Sequence, residues 1–233
     1  MDSVGELVKF DCSNNDLMTL DVSQCFKLKE LNCSGNQLME LDVGNQTQLT
    51  QLDCSNNKLT ELNVKQNGGL TSLICNDNQL KSLDLSKNNS LSNLNCAKNR
   101  LACVDFSHMI GSTINADGNR RPIAVRTDGT FDLTTLPDFD VSKATFLNGG
   151  SVSGTMLNVD AGANEVSYQY NCGNGVNPTF IFETSLPINE DNFPDDSFRN
   201  YIKTHKAGGR DVLTVEERSK VETCLLYTSD AAD

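Results

Sequence analysis

The chain has 233 residues, of which 37% are hydrophobic and 6% aromatic, and this apolar content argues against a thick globular core. A formal net charge of −12 argues against nucleic acid as a partner, because phosphate contacts require clustered Lys and Arg. No run of about 18 apolar residues is present, so no membrane insertion is predicted, and the N-terminus lacks the basic and apolar regions of a signal peptide.

A repeat of 21 residues organises the first half of the chain. In each copy the sequence LxLxC alternates apolar and polar residues, which predicts one short strand with Leu and Cys turned inward. A degraded sixth copy places Ile114, Ala116 and Asn119 in the Leu, Cys and Asn positions. Residues 1–121 are therefore predicted to stack into a solenoid. The repeated positions are Leu7, Leu28, Leu49, Leu70 and Leu91, then Cys12, Cys33, Cys54, Cys75 and Cys96, then Asn15, Asn36, Asn57, Asn78 and Asn99.

The pattern LxxLxCxxNxLxxLDVS over residues 7 to 121 resembles the leucine-rich repeat. Its length and its cysteine are most similar to the bacterial internalin type. The resemblance implies a parallel β-sheet with short convex segments, and a concave strand face that binds a protein or surface ligand. It also implies a protein that is extracellular or located at the bacterial cell surface.

The five repeated cysteines are interpreted as core residues. Stacked thiols with parallel Cβ vectors are poorly placed for disulfides, and burial raises a thiol's pKa and lowers its reactivity. There is no CxxC pair, and the histidines are His108 and His205, so no metal and no other cofactor is expected. Cys25, Cys103 and Cys172 lie outside this series, and a pairing of Cys103 with Cys172 stays open.

Two polar positions recur with the repeat. The asparagine that follows each cysteine is expected to satisfy backbone groups that turn inside the stack. Acidic residues follow each LxxL, with Asn63 in one copy, and they are interpreted as acceptors of backbone N–H groups in turns, with calcium as the alternative. These acidic residues are Asp21, Asp42, Asp84 and Asp105.

The concave face is the candidate binding site, and no catalytic residues are predicted. Six strands at about 4.8 Å spacing present roughly 400 Å². A standard interface needs about 800 Å² per partner, so solvated strand faces are an equally weighted alternative. Ile74 is the apolar residue that stands out among the candidates, which are Lys9, Asp11, Glu30, Asn32, Gln51, Asp53, Ser72, Ile74, Asn93 and Asn95.

Residues 122–186 lose the repeat and alternate apolar and polar residues between turn-forming clusters, which predicts a small antiparallel β domain, with an Ig-like fold as one option. Tyr168 and Tyr170 are expected to pack in its core, although stacking on sugars is an alternative. The predicted inward residues are Val166, Tyr168, Tyr170, Cys172, Phe180 and Phe182.

The sequence of residues 187–223 predicts helices. This segment resembles the helical cap that opens bacterial leucine-rich repeat arrays. Asp195 or Asp196 is expected to cap a helix, and Thr214 with Glu217 forms a capping box for the next. Phe198, Tyr201 and Ile202 are predicted to share one helix face. The EF-hand-like loop of such caps is not expected to bind calcium, because its ligand positions hold Lys206, Gly208 and Arg210.

Residues 224–233, CLLYTSDAAD, resemble the translation of a sequencing-library adapter and are excluded from the fold prediction. The first repeat begins midway, so the chain is expected to be a fragment of a longer protein. The motifs of common hydrolases, metalloproteases and nucleotide-binding enzymes are absent from the sequence. A non-catalytic binding module is therefore predicted, with a structural stalk or an accessory module of a larger enzyme as alternatives.

Overall fold

The computed structural model describes residues 4–187 and 196–205, together with residues 207, 212–214, 217 and 221. The chain divides into two compact units, which are described separately. The first comprises residues 1–121, 142–144 and 169–180, and the second comprises residues 122–141, 145–168 and 181–233. The predicted domain boundaries at residues 121, 186 and 223 stay predictions. The predicted adapter segment, 224–233, lies outside the described residues.

A six-stranded parallel sheet forms the core of the first unit, and the strands follow one another in chain order. Each strand pairs with the next in the register of the 21-residue repeat, so that Phe10 aligns with Leu31 and Leu31 with Leu52. The predicted leucine-rich repeat solenoid, including its degraded sixth copy, is confirmed. The strands are β1 (Lys9–Asp11), β2 (Glu30–Asn32), β3 (Gln51–Asp53), β4 (Ser72–Ile74), β5 (Asn93–Asn95) and β6 (Thr113–Asn115).

Each repeat buries the same apolar side chains against its neighbours. The middle residue of each inner strand points inward, as Leu52 and Leu73 do, while its two neighbours point outward. Leu49 and Leu70, which precede these strands, are fully buried as well. Because a single repeat has too little apolar surface to fold alone, the contacts between neighbouring repeats supply the stability.

The asparagines that follow the cysteines form a hydrogen-bonded ladder inside the stack. The Asn57 amide nitrogen donates to the Cys33 carbonyl of the preceding repeat at 3.0 Å and to the Cys54 carbonyl of its own repeat at 3.2 Å. Its Oδ1 accepts the Leu38 N–H at 3.0 Å. The same bonds recur at the other members of the ladder, so the predicted role is confirmed; they are Asn36, Asn78, Asn99 and Asn119.

A second column of amides, which the sequence analysis missed, lies in the turns that follow residues 41–43, 62–64 and 83–85. Gln46, Asn67 and Asn88 are 21 residues apart and fully buried. The Asn67 amide nitrogen donates to the Val43 carbonyl at 3.0 Å and to the Gln46 carbonyl at 2.8 Å. Asn88 repeats this pattern one turn later. The 21-residue spacing of these amides is the sequence feature that could have predicted this column.

The residue before each ladder asparagine adopts a left-handed backbone, with φ between 51° and 70°. Asn and Gly, which tolerate this conformation, occupy most of these positions. Lys98 is the exception, with φ of 51° and no short polar side chain to stabilise the turn. The positions are Asn14, Gly35, Asn56, Asp77, Lys98 and Gly118.

Replacing Lys98 with Asn is expected to stabilise the chain by about 0.5–1 kcal/mol, because Asn enters the left-handed region at lower energy than Lys. The lost ion pair with Asp77, at 3.5 Å on the surface, contributes little. Urea unfolding followed by circular dichroism measures the change. Lys58→Asn, at an exposed position without positive φ, is the control and should not stabilise. Equal effects of the two changes would contradict the assigned strain.

The repeated cysteines form a buried ladder, as predicted. Cys33, Cys54, Cys75 and Cys96 have no solvent exposure, while Cys12 in the first repeat is half-buried. Burial raises the pKa of Cys33 and of Cys96 to about 12, and that of Cys54 and Cys75 well above the ordinary value.

The eight cysteines of the described chain are all thiols, including Cys103 and Cys172, whose pairing the sequence left open. Cys172 is buried in the first unit, and its carbonyl accepts the Phe106 N–H at 2.6 Å. The segment around Cys172 therefore joins the last turns of the solenoid by backbone pairing.

The acidic residues after LxxL accept backbone N–H groups, as their interpretation as turn residues predicts. Asp21 accepts the Ser23 N–H at 2.8 Å, and Asp84 accepts the Ser86 N–H at 2.9 Å. Asn63 makes the equivalent bond to Lys65, so the position requires an oxygen acceptor and not a charge. The other two members are Asp42 and Asp105.

Among the described residues, eight further strands follow the solenoid sheet along the chain: β7 (Asn119–Ala124), β8 (Thr130–Asp132), β9 (Ala144–Asn148), β10 (Gly150–Ser153), β11 (Met156–Val159), β12 (Glu165–Tyr170), β13 (Thr179–Pro187) and β14 (Val212–Leu213). A three-stranded antiparallel sheet has the order β10, β11, β8, and a second sheet has the order β14, β13, β12, β9, with β7 also paired to β13. The predicted small β domain is confirmed as a β structure, and its Ig-like form stays a prediction.

All six predicted inward residues of this region are buried. Tyr168 is fully buried and stacks on Phe182 with ring centroids 4.5 Å apart, and Tyr170 packs edge-on against Phe180. The alternative in which the two tyrosines stack on sugars is wrong for this structure, because both tyrosines are buried in the core.

One α-helix, α1 (Asp196–His205), is described near the C-terminus, and short 3-10 turns occupy Val4–Glu6, Leu133–Thr135 and Val141–Lys143. Ile202 is buried and Phe198 packs beside it, as predicted. Tyr201 was wrongly placed on this face, because the residue is 47% exposed and its ring stacks on His205. No helix among the described residues is both long enough and apolar enough to cross a bilayer.

The predicted capping box is present in the described part of the C-terminal region. The Thr214 N–H donates to the Glu217 carboxylate at 2.9 Å, and the Glu217 N–H donates to the Thr214 hydroxyl at 3.4 Å. Asp195 and the loop positions 206, 208 and 210 lie outside the described residues, so the predictions for them stay predictions.

Candidate binding face

The outward side chains of β1–β6 form two parallel rows, which we call the strand face. All ten residues predicted for the concave binding site lie on it, because each strand turns its first and third residues outward. The first row is Lys9, Glu30, Gln51, Ser72, Asn93 and Thr113, and the second row is Asp11, Asn32, Asp53, Ile74, Asn95 and Asn115.

A depression of about 510 Å³ lies over β1–β4 on this face. Eight of the ten predicted residues line it, together with the edges of the inward Phe10, Leu31 and Leu52. Asn93 and Asn95 lie on the neighbouring β5 and are not among the lining residues. The structure therefore brings most of the predicted site together around one concavity.

The first row is held by contacts between adjacent repeats. Lys9 and Glu30 form an ion pair at 2.8 Å, in which the Lys9 side chain is largely exposed and the Glu30 side chain is partly exposed. Asn93 donates to the Ser72 hydroxyl at 3.0 Å. An exposed pair of this kind contributes little stability, so a ligand can separate Lys9 from Glu30 at low energetic cost.

The second row has a structural role that the sequence analysis missed. The Oδ1 of Asp11 accepts the N–H of Ser13 at 2.9 Å, and this bond lowers the pKa of Asp11. Ile74 is the exception, since it carries no acceptor for the turn after β4. The sequence feature that could have predicted this turn is the short polar residue two positions before the N–H group that it accepts. The same turn is formed at Asn32, Asp53, Asn95 and Asn115.

Only one oxygen of the Asp53 carboxylate forms hydrogen bonds in the described structure. Its Oδ1 accepts both the N–H and the hydroxyl of Ser55, at 3.0 and 2.7 Å. Within the described residues, no hydrogen bond or ion pair involves its Oδ2. The aligned residue on the next strand is Ile74, which is half-buried. The Asp53 carboxylate and the aliphatic Ile74 side chain therefore line the depression together from aligned positions on adjacent strands.

The charges around the depression are one lysine and three carboxylates, which gives a formal charge of −2. The lining residues include no His and no Cys. In the described part of the chain, no group of three or more His, Cys, Asp or Glu residues is placed to hold a metal ion. The chemistry that this face offers is hydrogen bonding, attraction of cations and one apolar contact.

No family model and no curated protein matches the chain. Among solved structures, the functional domain of InlJ from Listeria monocytogenes, which includes a cysteine ladder, is 21% identical over 76% of this chain and 57% of that chain, with a TM-score of 0.32. An internalin, InlF, from Listeria monocytogenes is 20% identical over 51% of this chain and 37% of that chain, with a TM-score of 0.47.

A leucine-rich repeat protein from Leptospira interrogans is 23% identical over 50% of this chain and 32% of that chain, with a TM-score of 0.46. The chain thus spans between about one third and three fifths of the lengths of these structures. The fold itself follows from this chain's own sheet, its 21-residue register and its buried thiols. The first unit is a leucine-rich repeat solenoid with a cysteine ladder.

Proposed function

We propose that the chain is a non-catalytic binding module whose strand face holds a protein ligand. The observation that supports this is the depression over β1–β4, where Asp53 leaves one carboxylate oxygen unused beside the aliphatic Ile74. The other carboxylates around it are tied to neighbours, since Glu30 pairs with Lys9 and Asp11 accepts the Asn32 amide at 3.2 Å.

The proposed ligand presents a lysine or arginine to the depression. Its cationic head would reach the Asp53 Oδ2, and its aliphatic stem would lie along Ile74, as such side chains commonly do on apolar surface. The charge of −2 around the depression and the net charge of −12 of the chain both favour a basic partner. The strand face offers roughly 400 Å², so weak binding is expected from this segment alone.

The proposed location is extracellular or at the bacterial cell surface. The support is the resemblance of the repeats to those of internalins, and the solved structures reported above include internalins from Listeria monocytogenes. In that setting the solenoid would present its strand face to a partner outside the cell.

Selection of a phage-displayed library of random peptides on the full chain tests the proposal. The face variant combines Asp53→Asn with Ile74→Asn. Asn32 and Asn95 show that Asn supports the turn at these positions, so this variant removes the charge and the apolar contact without removing a turn acceptor. We expect the enriched peptides to carry Lys or Arg and to bind the face variant at least about tenfold more weakly, or about 1.4 kcal/mol.

The matched control combines Asp42→Asn with Met39→Asn. Met39 is 63% exposed, and Asn63 shows that Asn supports the turn at the Asp42 position, so one acid and one exposed apolar residue are again lost away from the strand face. Binding to the control should equal binding to the unchanged chain. Enriched peptides that bind this face without basic residues would overturn the cation chemistry alone. Failure to enrich any peptide, or equal loss on the control, would overturn the binding module and favour the stalk or accessory role.

A further inference from the structure

The column of Gln46, Asn67 and Asn88 contains three buried oxygens to which no protein group in the described part of the chain donates a hydrogen bond. The amide nitrogens of these residues all donate to backbone carbonyls, with Gln46 donating to the Val22 carbonyl at 2.7 Å. The opposite atoms, the Gln46 Oε1 and the Oδ1 atoms of Asn67 and Asn88, have no hydrogen-bond partner in the described structure. All three side chains are fully buried.

The two amide ladders of the solenoid differ in whether the side-chain amide oxygen accepts a hydrogen bond. In the ladder of Asn57, the amide oxygen accepts a leucine N–H of the preceding repeat. The column of Asn67 has no such donor at its oxygen. Exchanging the nitrogen and oxygen of the amide would not help, because the oxygen would then face the carbonyls of Val43 and Gln46. A buried carbonyl without a donor is destabilising, so three in one column require an explanation.

We infer that this column binds two internal water molecules, one between the oxygens of Gln46 and Asn67 and one between those of Asn67 and Asn88. Repeats whose strands pair in parallel stack at about 4.8 Å. A water oxygen that lies about 2.8 Å from each of two side-chain oxygens at that spacing can donate one hydrogen to each. The angle between the two side-chain oxygens at the water is then about 118°. Spacings up to about 5.6 Å still allow one water to reach both oxygens.

The residues at the ends of the column limit it to these three amides. The same position holds Cys25 in the preceding repeat and Met109 in the following one, and both are buried. Neither side chain offers an amide oxygen to a water. The hydrated column therefore begins at Gln46 and ends at Asn88, and it lies within three consecutive turns that share one backbone geometry.

Crystallography of the full chain, at a resolution that shows ordered water, tests the inference. The unchanged chain should show one water within hydrogen-bonding distance of each adjacent pair of oxygens. Asn88→Leu should lose the water beside residue 88 and keep the other. Met109→Asn should gain a third water, because an amide at position 109 continues the column beside Asn88.

Oxygen-17 relaxation dispersion of the water signal measures the number of long-lived internal waters in solution. Asn88→Leu should hold one long-lived water fewer than the unchanged chain. An unchanged count in this variant, or crystals in which the three oxygens contact only carbon atoms, would overturn the inference. If Asn88→Leu fails to fold, the waters seen or missing in the unchanged chain decide the question alone.

Discussion

Asn57→Ala should destabilise the solenoid by about 3–5 kcal/mol, since the loss of one side chain leaves several buried backbone groups without partners. The Leu38 N–H loses its acceptor, and the carbonyls of Cys33 and Cys54 lose a donor. Because these groups belong to two repeats, the change weakens the contact between neighbours on which the stack depends. The midpoint of urea unfolding, followed by circular dichroism, measures the loss.

Two further variants locate the effect in the hydrogen bonds. Asn63→Ala removes an exposed asparagine that accepts one N–H, from Lys65, and should lower the unfolding free energy by at most about 1 kcal/mol. Asn57→Asp keeps an acceptor for Leu38 but places a carboxylate against two carbonyl oxygens, so it should be at least as destabilising as Asn57→Ala. Similar losses for Asn57→Ala and Asn63→Ala would contradict the role assigned to the ladder.

Alkaline pH should unfold the solenoid through its thiol ladder. The folded pKa of Cys33 and of Cys96 is about 12, against an ordinary value of 9.0. Below pH 9 both the folded and the unfolded chain hold these protons, so the stabilisation is fully present. As pH rises from 9 towards 12, the unfolded chain releases the protons first, and each thiol then lowers the unfolding free energy by up to about 1.4 kcal/mol per pH unit.

The four buried ladder thiols together should remove about 5 kcal/mol of stability between pH 8 and pH 10, which is comparable to the total stability of many domains. Urea unfolding at both pH values measures this difference. Cys54→Ala should reduce the pH dependence by about 1.4 kcal/mol, because one titrating thiol is removed. Val64→Ala, a buried truncation without a titrating group, should lower stability equally at both pH values. An unchanged pH dependence in Cys54→Ala would contradict the mechanism.

The strands, the cysteine ladder and the asparagine ladder could all be predicted because each depends on a side chain stacking on its own copies. A residue such as Leu52, which recurs every 21 positions beside a cysteine, meets the same residue of the next repeat whatever the details of the turns. The outward positions of the strand face follow from the same alternation, since the neighbours of an inward residue must point outward.

The features that were missed depend on where backbone groups point. Asp53 was recognised as an outward residue, but its bond to the Ser55 N–H depends on the path of the chain after β3. The misplacement of Tyr201 has a similar cause, because helical spacing puts it near Ile202 while the packing partners of α1 decide which side is buried.

The period, the inward residues and the buried thiols could all be read from the sequence, because stacking identical units leaves only one way to bury a leucine and a cysteine that recur together. Which atoms of each polar side chain form hydrogen bonds became visible only once the repeats were seen packed against one another. Asn57 and Asn67 have the same chemistry and the same period, yet only Asn57 has an N–H opposite its oxygen. That difference arises from the direction of the backbone in two separate turns, and the direction is set when neighbouring repeats pack together.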